Sequence, residues 1–276
     1  MKKITIQDIK SFKSNSVPFS AITAYDYISA QNANIAEIPL LLVGDSAAMV
    51  IYGMDNTIPI SMDELIFLVR AVSRGSNYSL VVADMPFMSY QASVEDAIRN
   101  AGRFIKEGGA AAVKLEGGAA YKKQISAIID AGIPVVGHVG LLPQSYNLNS
   151  GYGIQGKTKK SAEKIMNDAK SVEESGAFSI VLEGIPANLS NQITKILSIP
   201  TIGIGAGLDC DGQIQVYHDL LGLFDTFSPK HAKKYTNLNE QIYDSLMKYK
   251  FEVESCQFPD ESHCTHVDIG VINKIK

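Results

Sequence analysis

AAVKLEGG, residues 111–118, opens on an apolar triplet, alternates Lys114 and Glu116 with Leu115, and breaks on two glycines. That is how a strand buried on both faces reads when its tip carries polar groups. Side chains alternate with period two, so Lys114 and Glu116 lie on one side of it. The same pattern recurs in both directions. Upstream lie FSAITAYD (19–26), LLLVGDS (40–46) and LVVADMP (80–86). Downstream lie PVVGHVG (134–140), FSIVLEGIP (178–186) and PTIGIGAG (200–207). An eighth stretch, QIQVYHD (213–219), is weaker and reads equally well as the start of a helix.

Helical patterns fill the gaps. Ser61 with Glu64 forms a capping box ahead of Leu65, Leu68, Val69 and Val72. Ser93 opens a second face of Val94, Ala97, Ile98, Ala101 and Ile105, ending at Gly108-Gly109. Residues 161–175 bury Ala162, Ile165, Met166, Ala169 and Val172, while Leu189, Ile193 and Ile196-Leu197 make a fourth face. Residues 239–253 predict a last amphipathic helix, with Ile242, Leu246 and Val253 inward. Successive strand starts are 21 to 44 residues apart. Repeated βα units over this length predict a TIM (β/α)8 barrel. An open doubly wound sheet is second choice, lacking its glycine-rich phosphate loop after the first strand. Residues 1–276 read as one domain, with 264–276 as an extra C-terminal tail.

Composition narrows the function classes. Of 276 residues, 46% are hydrophobic and 20% charged, enough apolar surface for a large core. Twenty-five Lys and Arg against 29 Asp and Glu leave a net charge of −4, without the basic excess of a nucleic-acid binder. No apolar run is long enough to span a membrane. MKKITIQDIKSFK lacks the apolar centre of a secretory signal. Cys210, Cys256 and Cys264 are odd in number and scattered, which predicts free thiols and a cytoplasmic protein.

In a barrel, side chains at the C-terminal strand ends converge on one rim. Here those ends carry Tyr25 and Asp26, Asp45 and Ser46, Asp84, Lys114 and Glu116, His138, and Glu183. A single aspartate after a strand is usually a helix cap or turn residue. Six consecutive decorated ends point instead to a site. Asp45, Asp84 and Glu116 would repel one another unless neutralised, and Mg²⁺, a hard cation with oxygen ligands, does this. Lys114 is placed to hold a substrate carboxylate beside the metal. Glu183 emerges from an apolar wall that favours a general base near neutrality. His138 is a candidate donor to an oxygen developing negative charge, and Tyr25 a candidate substrate contact. The polar stretch QSYNLNSGYGIQGKT (144–158) has the length of a lid. TIGIGAG (201–207) is a weak phosphate signal that a tight bend explains as well. Cys256, His263, Cys264 and His266 match no zinc-finger spacing. The basic run Lys157, Lys159 and Lys160 reads as a solvated face.

Taken in order, ITAYDY (22–27), LLVGDS (41–46), ADMPFMSY (83–90), VKLEGG (113–118) and GHVGLLPQS (137–145) form a recognisable series. GYGIQG (151–156), VLEGIP (181–186), HDLLG (218–222) and FPDESH (258–263) continue it. Together they resemble the ketopantoate hydroxymethyltransferase family from about Ile22 to His263. The resemblance implies transfer of a hydroxymethyl group from 5,10-methylenetetrahydrofolate to 3-methyl-2-oxobutanoate through a Mg-stabilised enolate. The product would be 2-dehydropantoate, in pantothenate and coenzyme A biosynthesis. It implies Asp45, Asp84 and Glu116 as the Mg²⁺ shell, one or more through water. Asp45, Ser46, Asp84 and Lys114 become oxo-acid contacts, Glu183 the proton acceptor, and His138 a neighbour of the substrate. A homo-oligomer, commonly a decamer, is implied as well. The chain departs from the pattern at Ala47-Ala48, where Leu-Gly is usual, at Leu68, where histidine is usual, and after His263. A Mg-dependent lyase or phosphonomutase of the related phosphoenolpyruvate-type barrels is the alternative, without their KKCGH-like string. A non-catalytic oligomeric scaffold is another, but every expected site residue is present.

Overall fold

A computed structural model describes residues 2–149, 151–224 and 229–275. Eight parallel strands close into a barrel in sequence order. They are β1 (Phe19–Thr23), β2 (Leu40–Val43), β3 (Leu80–Asp84), β4 (Ala112–Lys114), β5 (Val135–Gly140), β6 (Ser179–Glu183), β7 (Thr201–Ile204) and β8 (Gly212–Gln215). β8 pairs with β1, so no sheet edge is left open. QIQVYHD divides between its two readings: β8 ends at Gln215, and a short helix, Tyr217–Leu221, follows.

The alternation of side chains builds two cores. Leu40, Leu42, Leu80, Val82, Ala112, Val136, Val181, Ile202 and Ile204 fill the barrel. Leu41, Val43, Val81, Ala83, Val113, Ile180 and Leu182 face the surrounding helices. Parity then carries the inward rows upward to the rim: Leu80 and Val82 lead to Asp84, Ala112 to Lys114 and Glu116, Val136 to His138, and Val181 to Glu183.

The Ser61–Glu64 box caps the helix Met62–Gly75, with Glu64 Oε2 accepting from the Ser61 N–H at 2.7 Å. Ser93 caps Val94–Arg103, which loosens into a π-helical turn, Phe104–Gly108, before Gly109 stops it. The third helix starts at Lys159, two residues before the predicted Ser161, because Thr158 and Ser161 make the capping box. An unpredicted helix, Ile6–Ser14, lies across the lower mouth, with Ile9 fully buried in the interior core. Its Phe12 ring stacks on Phe19 at 5.1 Å.

Residues 238–254 differ from expectation in their packing. The helix Leu238–Glu254 forms but has no buried residue. Ile242, Leu246 and Val253, expected inward, are 47%, 61% and 43% exposed. Amphipathic spacing fixes which face is apolar, not which surface covers it. Among the described residues, no helix is long and apolar enough to cross a membrane.

Candidate active site

β3 and β4 lie side by side, with Asp84 in register with Lys114. The Lys114 ammonium donates to Asp84 Oδ1 at 2.7 Å, and both side chains are almost wholly buried. Asp84 Oδ2 accepts from the Asp45 main-chain N–H at 3.2 Å, tying β3 to the end of β2. Glu116 Oε1 is 3.9 Å from Lys114 Nζ and 3.6 Å from His138 Nδ1. His138 Nε2 stands 3.2 Å from Glu183 Oε2. Asp45, Asp84, Lys114, Glu116, His138 and Glu183 thus meet at one end of the barrel, five of them buried and Glu183 16% exposed.

Gly140, at the end of β5, has φ +102, and a Cβ there would run into the Glu183 carbonyl oxygen. Only glycine lets the β5 tip pass that closely under the group carrying the proposed base.

The two polar residues at the end of β1 are held in different ways. Tyr25 is 1% exposed, and its hydroxyl lies 2.8 Å from Ser46 Oγ. It thereby sits against Ser46, one of the expected oxo-acid contacts. Asp26 is the N-cap of the helix Tyr27–Ile35, its carboxylate accepting from the Ser29 N–H, which takes it out of the site.

Charge balance decides the chemistry. Among the described residues, Asp45, Asp84, Glu116 and Glu183 face one buried ammonium, Lys114, so full ionisation would leave three unbalanced negative charges. Burial, then Asp84, pushes the Asp45 carboxyl up to about 7. Burial likewise raises Glu116 well above the carboxylate range, although Lys114 opposes it. Burial works against the charge on Lys114, but Asp84, Glu116 and Asp45 outweigh it and raise its pKa. Burial and then Lys114 push His138 well below the histidine range, so it is neutral near pH 7. Burial carries Glu183 up to about 7, against the pull of Lys114 and His231.

This donor set suits Mg²⁺. Glu116 Oε1 is buried without a hydrogen-bond partner among the described residues. A divalent cation would relieve the carboxylate crowding. Among the described residues, however, no three His, Cys, Asp or Glu side chains are arranged to hold a metal by themselves. Mg²⁺ does not need that, since one or two carboxylates commonly suffice with water and substrate oxygens completing the octahedron.

Sequence reading missed Gln144 as more than the first residue of a lid. It is buried, and its amide donates to Asp45 Oδ2 at 3.2 Å while its main-chain N–H donates to Glu116 Oε2 at 3.1 Å. Tyr90, inside ADMPFMSY, places its hydroxyl between Gln144 Oε1 at 3.1 Å and the Glu116 carbonyl at 3.0 Å, either of which can accept its proton. His231 was also missed, though its ring lies against Gly205 at the end of β7. No periodic signal marks any of the three.

The stretch 144–158, in which Ser150 lies outside the described residues, follows the rim. Gln155 N–H donates to Gly184 O at 2.8 Å, and the Tyr152 hydroxyl reaches Met49 Sδ at 3.8 Å. Gly205 and Gly207 have φ +60 and +84, which makes TIGIGAG a tight bend. His263 Nδ1 is 2.7 Å from Asp260 Oδ1 and His266 Nε2 is 2.8 Å from Glu261 Oε2, so both histidines are held by carboxylates. Lys157, Lys159 and Lys160 are exposed. Ala47 and Ala48 are fully buried in the short helix after Ser46.

The family model described as ketopantoate hydroxymethyltransferase matches residues 3–261. A 3-methyl-2-oxobutanoate hydroxymethyltransferase of Carboxydothermus hydrogenoformans is 51% identical over 275 residues, covering 100% of both chains. That alignment runs on beyond His263, so the last residues have a counterpart there. Proteins of the same name from Clostridium novyi and Nitrosopumilus maritimus are 50% and 51% identical, over 99% of this chain and 99% and 97% of theirs. Among solved structures, phosphonopyruvate hydrolase superposes with a TM-score of 0.62 at 12% identity, covering 99% of this chain and 94% of that one. A 2,3-dimethylmalate lyase superposes with a TM-score of 0.59 at 15% identity, covering 94% and 91%. At such identities the likeness shows a shared barrel fold and nothing about activity.

Proposed function

The chain belongs to the ketopantoate hydroxymethyltransferase family, and from that premise we propose that it transfers a hydroxymethyl group from 5,10-methylenetetrahydrofolate to 3-methyl-2-oxobutanoate. The product is 2-dehydropantoate, a precursor in pantothenate and coenzyme A biosynthesis. The observation that carries this reading is the division of the rim. One carboxylate, Glu183, stands on β6, its Oε2 3.2 Å from Nε2 of neutral His138. The cluster of Asp45, Asp84, Lys114 and Glu116 spans the ends of β2 to β4. In a ring of eight strands, β2 and β6 are diametrically opposed.

In this mechanism the 2-oxo acid binds against Asp45, Ser46, Asp84 and Lys114, with the Lys114 ammonium on its carboxylate. When bound beside Asp45, Asp84 and Glu116, Mg²⁺ supplies Lewis-acid neutralisation of the charge that develops on the substrate oxygens. Glu183 takes the proton from C3, across the mouth from that cluster. The resulting carbanion forms the new C–C bond to the one-carbon unit of the folate, and both C–N bonds of that unit break. Water supplies the hydroxyl, and tetrahydrofolate leaves with the C3 proton and the second proton of the water on its two nitrogens. His138, neutral with a single N–H and its Nε2 3.2 Å from Glu183 Oε2, is placed to give that proton either to this carboxylate or to a substrate oxygen. A phosphonopyruvate hydrolase of the same barrel fold, 13% identical, has been solved in complex with oxalate and Mg²⁺. Incubation with 3-methyl-2-oxobutanoate, Mg²⁺ and either 5,10-methylenetetrahydrofolate or formaldehyde should yield 2-dehydropantoate. Cleavage of the oxo acid without one-carbon transfer would favour the lyase alternative, and no turnover at all the scaffold.

The uncovered face of Leu238–Glu254 supports the homo-oligomer. Tyr243, Met247 and Phe251 on the same helix are also exposed, and so much apolar surface marks an interaction site. Light scattering should give a mass far above the 29.9 kDa chain, about ten times it for a decamer. A clean monomer at micromolar concentration overturns this. Cys210, Cys256 and Cys264 are free, which supports a cytoplasmic location. We place residues 1–276 in one catalytic domain, with 264–276 as its C-terminal tail.

A further inference from the structure

Gln144 touches two of the proposed cation ligands through two independent donors. It sits in a single 3-10 turn, Pro143–Ser145, that folds back over the rim just after β5. The side-chain amide has two N–H donors and one acceptor. Its nitrogen faces Asp45 Oδ2 at 3.2 Å and the Met85 carbonyl at 2.9 Å. The Met85 carbonyl only accepts, as does Asp45 when ionised, so the reversed amide would set oxygen against oxygen. Its Oε1 accepts from Gln91 Nε2 at 3.3 Å and lies 3.1 Å from the Tyr90 hydroxyl, whose single proton is shared between it and the Glu116 carbonyl at 3.0 Å. The orientation of the amide is thereby determined from both ends. Its main-chain N–H holds Glu116 Oε2, leaving Oε1 of the same carboxylate turned toward Lys114 and His138. Tyr90 closes the circuit by accepting from the Glu116 N–H at 3.1 Å.

We propose that Gln144 is a positioning residue of the cation site, its amide aiming Asp45 and its main-chain N–H aiming Glu116, with Tyr90 setting the amide's direction. The proposal rests on the reading that these carboxylates hold Mg²⁺. Partners of this outer kind orient the groups that touch a metal, and removing one typically costs roughly 10–100-fold in metal affinity. A merely space-filling glutamine would show up in stability and leave that affinity alone.

The test uses full-length wild type, Gln144→Met and Tyr90→Phe. Gln144→Met keeps the volume and the main-chain N–H but loses the bond to Asp45. Calorimetric titration with Mg²⁺, and with Mn²⁺ followed by electron paramagnetic resonance, should show Gln144→Met binding roughly 10–100-fold more weakly. At fixed Mg²⁺ the KM for 3-methyl-2-oxobutanoate should rise more than kcat falls, and added Mg²⁺ should narrow the gap. Tyr90→Phe should shift the same quantities in the same direction by less. Metal affinity within twofold of wild type in a folded Gln144→Met overturns the proposal. If Gln144→Met does not fold, unchanged affinity in Tyr90→Phe overturns it. Wild type that binds neither ion overturns the cation reading and this proposal together, an outcome distinct from a variant-only result.

Discussion

Exhaustive chelation with EDTA should abolish turnover, Mg²⁺ should restore it, and Asp84→Ala should lose both metal-dependent substrate binding and activity, by on the order of 10³-fold for activity. Asp84 is singled out because its two oxygens do different work: Oδ1 takes the Lys114 ammonium and Oδ2 the Asp45 N–H. Removing the carboxylate unsettles the cation that meets the substrate and the loop that presents Asp45. It also leaves Lys114 buried, with Glu116 at 3.9 Å as its nearest remaining anion. Breaking a buried pair on one side costs about 3–5 kcal/mol, so unfolding must be monitored alongside. Asp84→Asn serves as the control, keeping the shape and one acceptor while removing the charge. The chain has no Trp, so binding is followed by calorimetry or tyrosine signals. Full activity in exhaustive chelator would remove the metal from the mechanism.

The barrel and much of the rim were legible for one reason. Strands buried on both faces are written as apolar runs, and period-two alternation carries the inward row straight into the first polar residue beyond it. Asp84, Lys114, Glu116, His138 and Glu183 all follow that rule, and the structure places them together. The rule fails where a residue reaches the site by another route. Gln144 arrives from a turn after β5, so it looks like the start of an ordinary polar loop. Asp26 fits the strand-end pattern as well as Asp45 does, yet the helix immediately after it claims its carboxylate as a cap. The helix Ile6–Ser14 plugs the barrel with Ile9, although its sequence is mostly polar and shows few apolar positions. For Leu238–Glu254 the periodicity was readable but its partner was not, because the covering surface is not written in the helix itself.

Glu183→Gln should still bind Mg²⁺ and 3-methyl-2-oxobutanoate, yet exchange the substrate's C3 proton with D₂O roughly 10²–10⁴-fold more slowly, the usual contribution of a general base. Glutamine keeps the size and hydrogen-bonding capacity of the side chain and removes only the basic oxygen. Measured without folate, exchange isolates enolisation from one-carbon transfer, and NMR follows it directly. The pH dependence has a definite sign. Burial lifts the Glu183 carboxyl from its ordinary value of 4.5 to about 7, and only its ionised form accepts a proton. Wild-type exchange should therefore rise about tenfold per unit as pH approaches 7 from below, then level off above it. The glutamine variant should lose that rise, because the group that titrates has gone. His138 does not supply the same profile, since burial and Lys114 push its pKa well below the usual histidine value. Exchange at the wild-type rate in Glu183→Gln would remove Glu183 as the base and transfer the role to His138, whose Nε2 lies 3.2 Å from the same carboxylate.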